Sequence, residues 1–267
     1  MDSIGDIIGR LLEGVPQEEI DKAFAHSWTA EEWAERKAAA YNGREGELGY
    51  LDCPKCKNRG DYAVAVDGEV KIRTCPCMIK RENMRRLSES GLSDVVMEYT
   101  FSAFETPGSE YQGCKDKAME YTRAGAGQWL FVTGKPGSGK THLCTAVAAG
   151  LIRQCYDVRY VIWREIAPRL KALVNEREQY ETEINTYKTV DVLYIDDLFK
   201  GSVTSADINL AYEIINARYG VKELRTIIST ERSMQDIIGI DEALGSRIYQ
   251  RSKNFIIQTP KQNWRLK

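Results

Sequence analysis

Gly134-Lys135-Pro136-Gly137-Ser138-Gly139-Lys140-Thr141 matches the phosphate-binding pattern G-x-x-x-x-G-K-[ST] at every fixed position. Just before it, Trp129-Leu130-Phe131-Val132 reads as a buried strand, and just after it Leu143 to Ala149 reads as a helix. Between a strand and a helix, such glycines let the backbone curl around an anion, with its N–H groups and the helix N-terminus aimed inward. Lys140 then reaches the β- and γ-phosphates, and the Thr141 hydroxyl ligands Mg²⁺. Gly134, Pro136, Gly137, Ser138, Gly139 and His142 complete the expected nucleotide contacts. The chain is expected to bind ATP with Mg²⁺.

A second signal lies downstream at Val190-Asp191-Val192-Leu193-Tyr194-Ile195-Asp196-Asp197, an apolar strand that ends in two carboxylates. Alone, such a pair is an ordinary strand end. After a phosphate loop at this interval it suits delivery of Asp196 to the magnesium shell and of Asp197 towards an attacking water. Aspartate is shorter than the glutamate of many efficient ATPases, so its reach to that water is short and slow turnover is expected.

Four of the seven cysteines pair as Cys53-Pro54-Lys55-Cys56 and Cys75-Pro76-Cys77. Between them, Asp61 to Val66 and Glu69 to Ile72 read as a hairpin turned by Asp67-Gly68. Two close thiol pairs bracketing a hairpin suit tetrahedral Zn²⁺, in the layout of a zinc ribbon. A redox dithiol is the alternative, although nothing nearby activates a thiolate. Lys55, Lys57, Lys71 and Arg73 are placed to offset the thiolate charge, while Cys114, Cys144 and Cys155 read as small buried residues.

The 267 residues could hold one large domain or two, and 28% charged with 43% hydrophobic residues is ordinary for a soluble globular chain. A net charge of −2 excludes a strongly basic nucleic-acid coat but not a local basic patch. No apolar run approaches the ~18 residues of a membrane span. The beginning of the chain, with Asp2 and Asp6 among apolar residues, does not read as a signal peptide, and with the cysteine usage it points to a reducing cytoplasm.

Organisation follows from composition. Residues 1–45 read as helical, with Ile4, Ile7, Ile8, Leu11 and Leu12 on one face and Trp28 and Trp33 further on. That segment is either a packing arm or a partner-docking surface. With the cysteine module it makes a first domain over 1–80, followed by a charged linker helix over 81–95 that ends near Gly91. From 96 to 267 strands near 129–133, 158–162, 190–195, 225–229 and 254–258 alternate with helices near 140–153, 164–185, 205–219, 232–238 and 241–251. Alternation of this kind implies an α/β fold, a parallel sheet flanked by helices. The short stretch after the last strand leaves no room for a full helical lid.

The stretches GKPGSGKTH, VLYIDDLFKG, TSADINLAYEIINARY, TIIST and GSRIYQR resemble the AAA+ ATPases of the bacterial DnaI/DnaC helicase-loader kind, with the transposition helper IstB a close cousin. The cysteine module beside a helical N-terminal region resembles loaders of Gram-positive bacteria and their phages. The resemblance implies that the N-terminal region grips a hexameric replicative helicase while the ATPase region senses nucleotide and single-stranded DNA. It makes Gly134, Gly139, Lys140 and Thr141 the Walker A motif, with Asp196 and Asp197 as Walker B. Thr230 is the expected sensor 1 contact, because Glu231 stands where many relatives carry Asn and its carboxylate would repel a γ-phosphate. Arg247 matches an arginine finger acting on a neighbouring subunit, or else is a surface arginine. Arg265 matches the sensor 2 arginine, or else is a solvated tail residue. The stretch from Met97 to Phe104, with Tyr99 and Phe101, falls where this group lays its adenine pocket.

For DNA, Arg164, Arg169, Lys171 and Lys200 with Trp163 and Phe199 form either a stacking groove or simply a charged solvent face. Three functions follow: a helicase loader, an IstB-like helper that organises target DNA, and a small-molecule kinase. IstB-like helpers generally lack a cysteine module, and no acceptor-substrate motif supports a kinase.

Overall fold

The structure, a computed structural model, describes Pro16, Glu18, residues 28–88 and residues 98–266. The amphipathic stretch from Ile4 to Leu12, the end of the linker helix near Gly91, and Met97 lie outside the described residues. The chain packs as two compact units, Met1–Cys75 and Pro76–Lys267.

In the first unit, helix α1 (Ala30–Asn42) starts at a capping box in which Thr29 and Glu32 satisfy each other's backbone N–H groups. It lies on an antiparallel hairpin of β1 (Asp61–Val66) and β2 (Glu69–Thr74). Asp67 at φ 54° and Gly68 at φ 72° supply the two left-handed residues that a tight, right-twisted hairpin needs. Asn42 locks helix to hairpin. Its Nδ2 donates to Ala63 O at 2.9 Å and its Oδ1 accepts from Ala63 N at 2.8 Å. The buried hydrophobic side chains described in this unit are Ala34, Ala38, Cys56, Ala63 and Cys75, all of them small. A core of that size does not hold a fold by itself, so such a unit depends on a staple.

In the second unit, α2 (Cys77–Leu87) and α3 (Ser109–Arg123) precede a regular alternation of strand and helix. That alternation runs β3 (Leu130–Thr133), α4 (Lys140–Arg153), β4 (Val158–Ile162), α5 (Trp163–Ala172), α6 (Arg177–Thr189) and β5 (Val192–Asp196). It continues with α7 (Ser205–Gly220), β6 (Arg225–Thr230), α8 (Met234–Ile240), α9 (Glu242–Ser252) and β7 (Ile256–Gln258). The five strands form one parallel sheet in the order β4-β5-β6-β3-β7. Every residue of β3, β5 and β6 is buried, which is why these segments read as unbroken apolar runs. Leu130, Val132, Tyr194 and Ile227 pack in one core with α3 and α4, and Phe131, Leu193, Ile195 and Ile228 in another with α5 to α9. Helix α2 joins the first of these layers: Leu87 is buried there and Asn83 Nδ2 donates to Tyr156 O.

One expected element is corrected. The helix read over 164–185 is two helices, α5 and α6, separated by a turn at Leu173–Glu176. Ile166, Leu170, Ile184 and Tyr187 all belong to the same core. In one straight helix Ile184 would lie about 21 Å beyond Leu170, past the reach of that core. Breaking the helix lets both apolar faces bury together, and Arg169 pairs with Glu183 across the bend at 2.9 Å.

Arg218, fully buried at the end of α7, gathers the carbonyls left open at the end of α6. It donates to Tyr187 O at 2.9 Å and Val190 O at 2.8 Å, and to the Thr226 hydroxyl at 3.0 Å. Arg218→Ala leaves these acceptors buried without donors, a cost of about 3 kcal/mol. The urea midpoint is expected to fall accordingly, and Lys at this position should recover less than half, because one ammonium cannot span the fork.

Candidate functional site

The loop between β3 and α4 is shaped by residues far away in sequence. Gly137 has φ 72°, and a Cβ there would stand 2.0 Å from Asn263 Oδ1; a Cβ at Gly134 would stand 1.9 Å from Thr259 Oγ1. Trp264 N donates to Gly137 O at 2.9 Å, and the Ser138 and Thr259 hydroxyls are 2.6 Å apart. The segment after β7 therefore braces the loop. Lys140 Nζ donates to Gly134 O and Lys135 O, each at 2.9 Å, which holds the ammonium over the loop. Burial lowers the Lys140 proton affinity, and the Glu231 and Asp197 carboxylates push it back up.

A cleft opens along this loop. Its walls are residues 136–142 with Asp197, Lys200, Glu231 and Glu105, and an apolar part made by Tyr99, Ala103, Phe104 and Trp264. The His142 ring stacks on Tyr99 with centroids 4.6 Å apart and meets Phe104 edge-on at 5.2 Å. His142 Nε2 lies 3.0 Å from Thr100 O, and burial lowers the affinity of the ring for a second proton. Flat aromatic walls of this kind suit a nucleobase. Tyr99 is where the sequence reading put it, but Phe101 packs into the core against α4 and Phe104 takes its place in the cleft.

The acid pair closes the phosphate side. Asp196 ends β5 almost fully buried, and its Oδ2 accepts from Thr141 Oγ1 at 3.3 Å and Tyr160 OH at 3.2 Å. Ser229 Oγ donates to Asp196 Oδ1 and accepts from Asp197 N at 3.1 Å. Burial raises the Asp196 proton affinity, and the Ser229 donor counters it. Thr141 and Asp196 thus bring two oxygens together beside the loop, a donor set that fits Mg²⁺. Asp197, at φ 56°, turns its carboxylate into the cleft and onto Lys200 Nζ at 2.7 Å.

The expected contacts of Thr230, Trp163 and Phe199 are corrected here. The Thr230 hydroxyl donates to Leu198 O at 2.7 Å and accepts from Arg232 N at 3.0 Å, so it is spent on backbone and does not line the cleft. Glu231 faces the cleft instead. Trp163 and Phe199 pack edge-on at 5.8 Å inside the core and offer no face to a nucleobase. Arg169 and Lys171 are paired with Glu183 and Asp207, whereas Arg164 is exposed. Arg247 lies on α9 outside the cleft, its guanidinium over the rings of Tyr212 and Tyr219 and its NH1 donating to Ala243 O at 2.7 Å. Arg265 belongs to a 3-10 turn, Trp264–Leu266, but its side chain lies outside the described residues. Sequence reasoning missed Ser229, Tyr160 and the bracing role of Thr259, Asn263 and Trp264. The available signal was the run of hydroxyls, Ser229-Thr230, at the end of the strand Thr226-Ile227-Ile228-Ser229-Thr230.

A second constellation is the cysteine cluster. The sulfurs of Cys53, Cys56, Cys75 and Cys77 all lie within 4.8 Å of one another, with Cys53 and Cys75 3.8 Å apart. Zn–S bonds of about 2.3 Å place tetrahedral sulfurs about 3.8 Å apart, so the set fits zinc. Gly60 N donates to Cys56 Sγ at 3.4 Å, which offsets thiolate charge. Lys55 and Lys57 serve other groups: one ammonium sits over the Tyr62 ring and the other donates to Gly43 O.

A parallel sheet with its phosphate loop after β3, an acid pair at the end of β5 and β6 between those strands defines a P-loop domain of the AAA+ kind. The chain belongs to the IstB-like ATP binding protein family, whose pattern matches residues 74–267. The phage-like element PBSX protein XkdC of Bacillus subtilis (strain 168) is 33% identical over 228 residues, covering 80% of this chain and 84% of that protein. The replicative helicase loader DnaI of the same organism is 33% identical over 164 residues, covering 61% of this chain and 48% of the loader. The crystal structure of the DnaC helicase loader matches 62% of this chain and 99% of its own at a TM-score of 0.56 and 22% identity, a likeness of fold.

Ser229→Ala removes the partner of both Asp196 Oδ1 and Asp197 N. Leaving buried polar groups unpaired costs about 1–3 kcal/mol. Magnesium-dependent ATP affinity is expected to fall about 10-fold, as that energy implies, in a titration with fluorescent nucleotide, while binding in EDTA changes little.

Proposed function

We propose that the chain is an ATP-switched loader that delivers a hexameric replicative helicase onto single-stranded DNA in the cytoplasm. The observation that carries this reading is the phosphate loop with Thr141 and Asp196 beside it, in a chain that also bears a four-cysteine hairpin module. Similarity to a protein named replicative helicase loader DnaI supports it. The residues at 1–80 form the helicase-gripping part, those at 81–95 the linker, and those at 96–267 the ATPase. Lys140 and the loop hold the phosphates, Thr141 and Asp196 hold Mg²⁺, and Asp197 orients the water that attacks the γ-phosphate. Hydrolysis is slow in the isolated chain, both because Asp197 has a short arm and because Arg247 serves a neighbouring copy. An IstB-like helper acting on target DNA is the second reading, favoured by the family match and opposed by the cysteine module. Capture on immobilised replicative helicase, with an immobilised transposase alongside, separates them. A chain retained only by the transposase would overturn the loader reading.

Zinc in the cysteine cluster folds the cysteine module. Structural zinc contributes on the order of 10 kcal/mol in small sites. One equivalent of zinc is expected in reducing buffer, and Cys53→Ser should lose it and abolish helicase capture while ATP binding persists. Less than half an equivalent, a figure of about 0.5 set against the single full site expected, would count against it.

Arg247→Ala is expected to bind ATP normally and to lose hydrolysis in the assembly by about 10³-fold or more, the scale of an arginine finger. Mixed with Lys140→Ala, it should regain activity at interfaces that join one intact loop to one intact Arg247. A mixture that co-assembles but stays inactive would make Arg247 structural, held by Tyr212 and Tyr219 for packing alone.

A further inference from the structure

We propose that Lys200 is the γ-phosphate sensor of this cleft, a cation held between Asp197 and Glu231 that the third phosphate of ATP draws away from them. The inference rests on the reading of the cleft as an ATP site. Lys200 Nζ stands 2.7 Å from Asp197 Oδ2 and 3.2 Å from Glu231 Oε1, and all three residues line the cleft beside Lys140. The two contacts differ in length. The one to Asp197 is the shorter, a close hydrogen-bonded ion pair, and the one to Glu231 is an ion pair half an ångström longer.

The backbone aims this lysine. Phe199 at φ 56° and Gly201 at φ 86° flank it in the left-handed region, and Lys200 N donates to Asp197 O at 3.2 Å. The chain thereby doubles back, and the ammonium returns over the carboxylate three residues earlier. Its side chain keeps 31% exposure, enough freedom for the head to swing on its flexible stem.

The charge balance makes the lysine necessary. Glu231 occupies the strand end where a neutral polar side chain would serve a phosphate better. Unneutralised, it and Asp197 would place two negative charges against a third. With Lys200 between them the pair is compensated, and the compensation is transferable. A terminal phosphate carrying roughly two negative charges competes for the ammonium on better terms than either single carboxylate. Moving Lys200 onto it leaves Asp197 Oδ2 open to accept from a water. ADP, one phosphoryl group shorter, leaves the ion trio closed. The cleft thus distinguishes ATP from ADP through Lys200, in the place that Thr230 cannot fill.

The test is fluorescent titration of the full chain, in Mg²⁺, with ADP and with a non-hydrolysable ATP analogue. Lys200→Met is expected to weaken the ATP analogue about 10- to 100-fold, as for loss of one charged hydrogen bond, and ADP by no more than about 2-fold. Lys200→Arg should restore most of the preference, and Glu231→Gln, which loosens the hold on Lys200, should raise the ratio of ATP to ADP affinity. An equal effect of Lys200→Met on both nucleotides, or on neither, would overturn the sensor and leave an ordinary loop ion pair. If Lys200→Met does not fold, an unchanged ratio in Glu231→Gln overturns it. A parent chain that binds neither nucleotide removes the ATP reading and the sensor together.

Discussion

The Ser229 hydroxyl is the joint on which the phosphate side of this cleft depends. It donates to Asp196 and accepts from the Asp197 amide, so one oxygen fixes both members of the acid pair. It can do so because β6 runs between β3 and β5, in register Val132↔Ser229 with one and Ile195↔Ile228 with the other. The loop strand and the acid strand do not pair with each other. Their relative position is inherited through β6, whose six residues are all buried and have no room to slide. A buried carboxylate is costly unless its oxygens are satisfied. At Asp196 three hydroxyls, from Ser229, Thr141 and Tyr160, do that work without a positive charge, which leaves a cation site that Mg²⁺ can complete.

What was legible in the sequence follows the same logic. The phosphate loop and the five strands could be read because their signals are local: glycines at left-handed positions, and apolar runs covered on both faces. The hairpin of the cysteine module was legible for the same reason, in Asp67-Gly68 and the thiol spacing. The bend between α5 and α6 was not, because the apolar period continues through Leu173 and Val174 and only the position of the core decides against a single helix. At the end of β6 the difficulty was parity. Successive strand residues face opposite ways, so a change of one residue separates Thr230, committed to Leu198 O, from Glu231 in the cleft. Lys200 was visible as a charge after an acid pair, but its direction is set by positive φ values on either side, which residue type does not announce at Phe199.

The two units solve the problem of stability differently. The second covers a parallel sheet on both faces and buries large side chains such as Trp129, Phe131 and Tyr194. The first buries alanines and cysteines, and its helix is tied to its hairpin by single polar groups, Asn42 on Ala63 and Tyr41 on Asp61. Trp33 and Tyr50 remain exposed there, at 50% and 59%. Its large aromatic side chains thus stay outside while small ones fill the inside, the reverse of the second unit.

The bracing of the loop has a consequence for how such sites can be transplanted. Ser138 and Thr259 share a hydrogen bond across a sequence separation of 121 residues, and Gly137 is glycine in part because Asn263 occupies the space its side chain would need. The eight-residue motif is therefore only half of its own cradle. A chimera that exchanged residues 134–141 with another member of the family would inherit a loop cut to fit a different backing, and the graft would have to carry residues 259–264 with it. The unit of exchange is a pair of segments, and a change accepted in one of them sets which changes the other can accept.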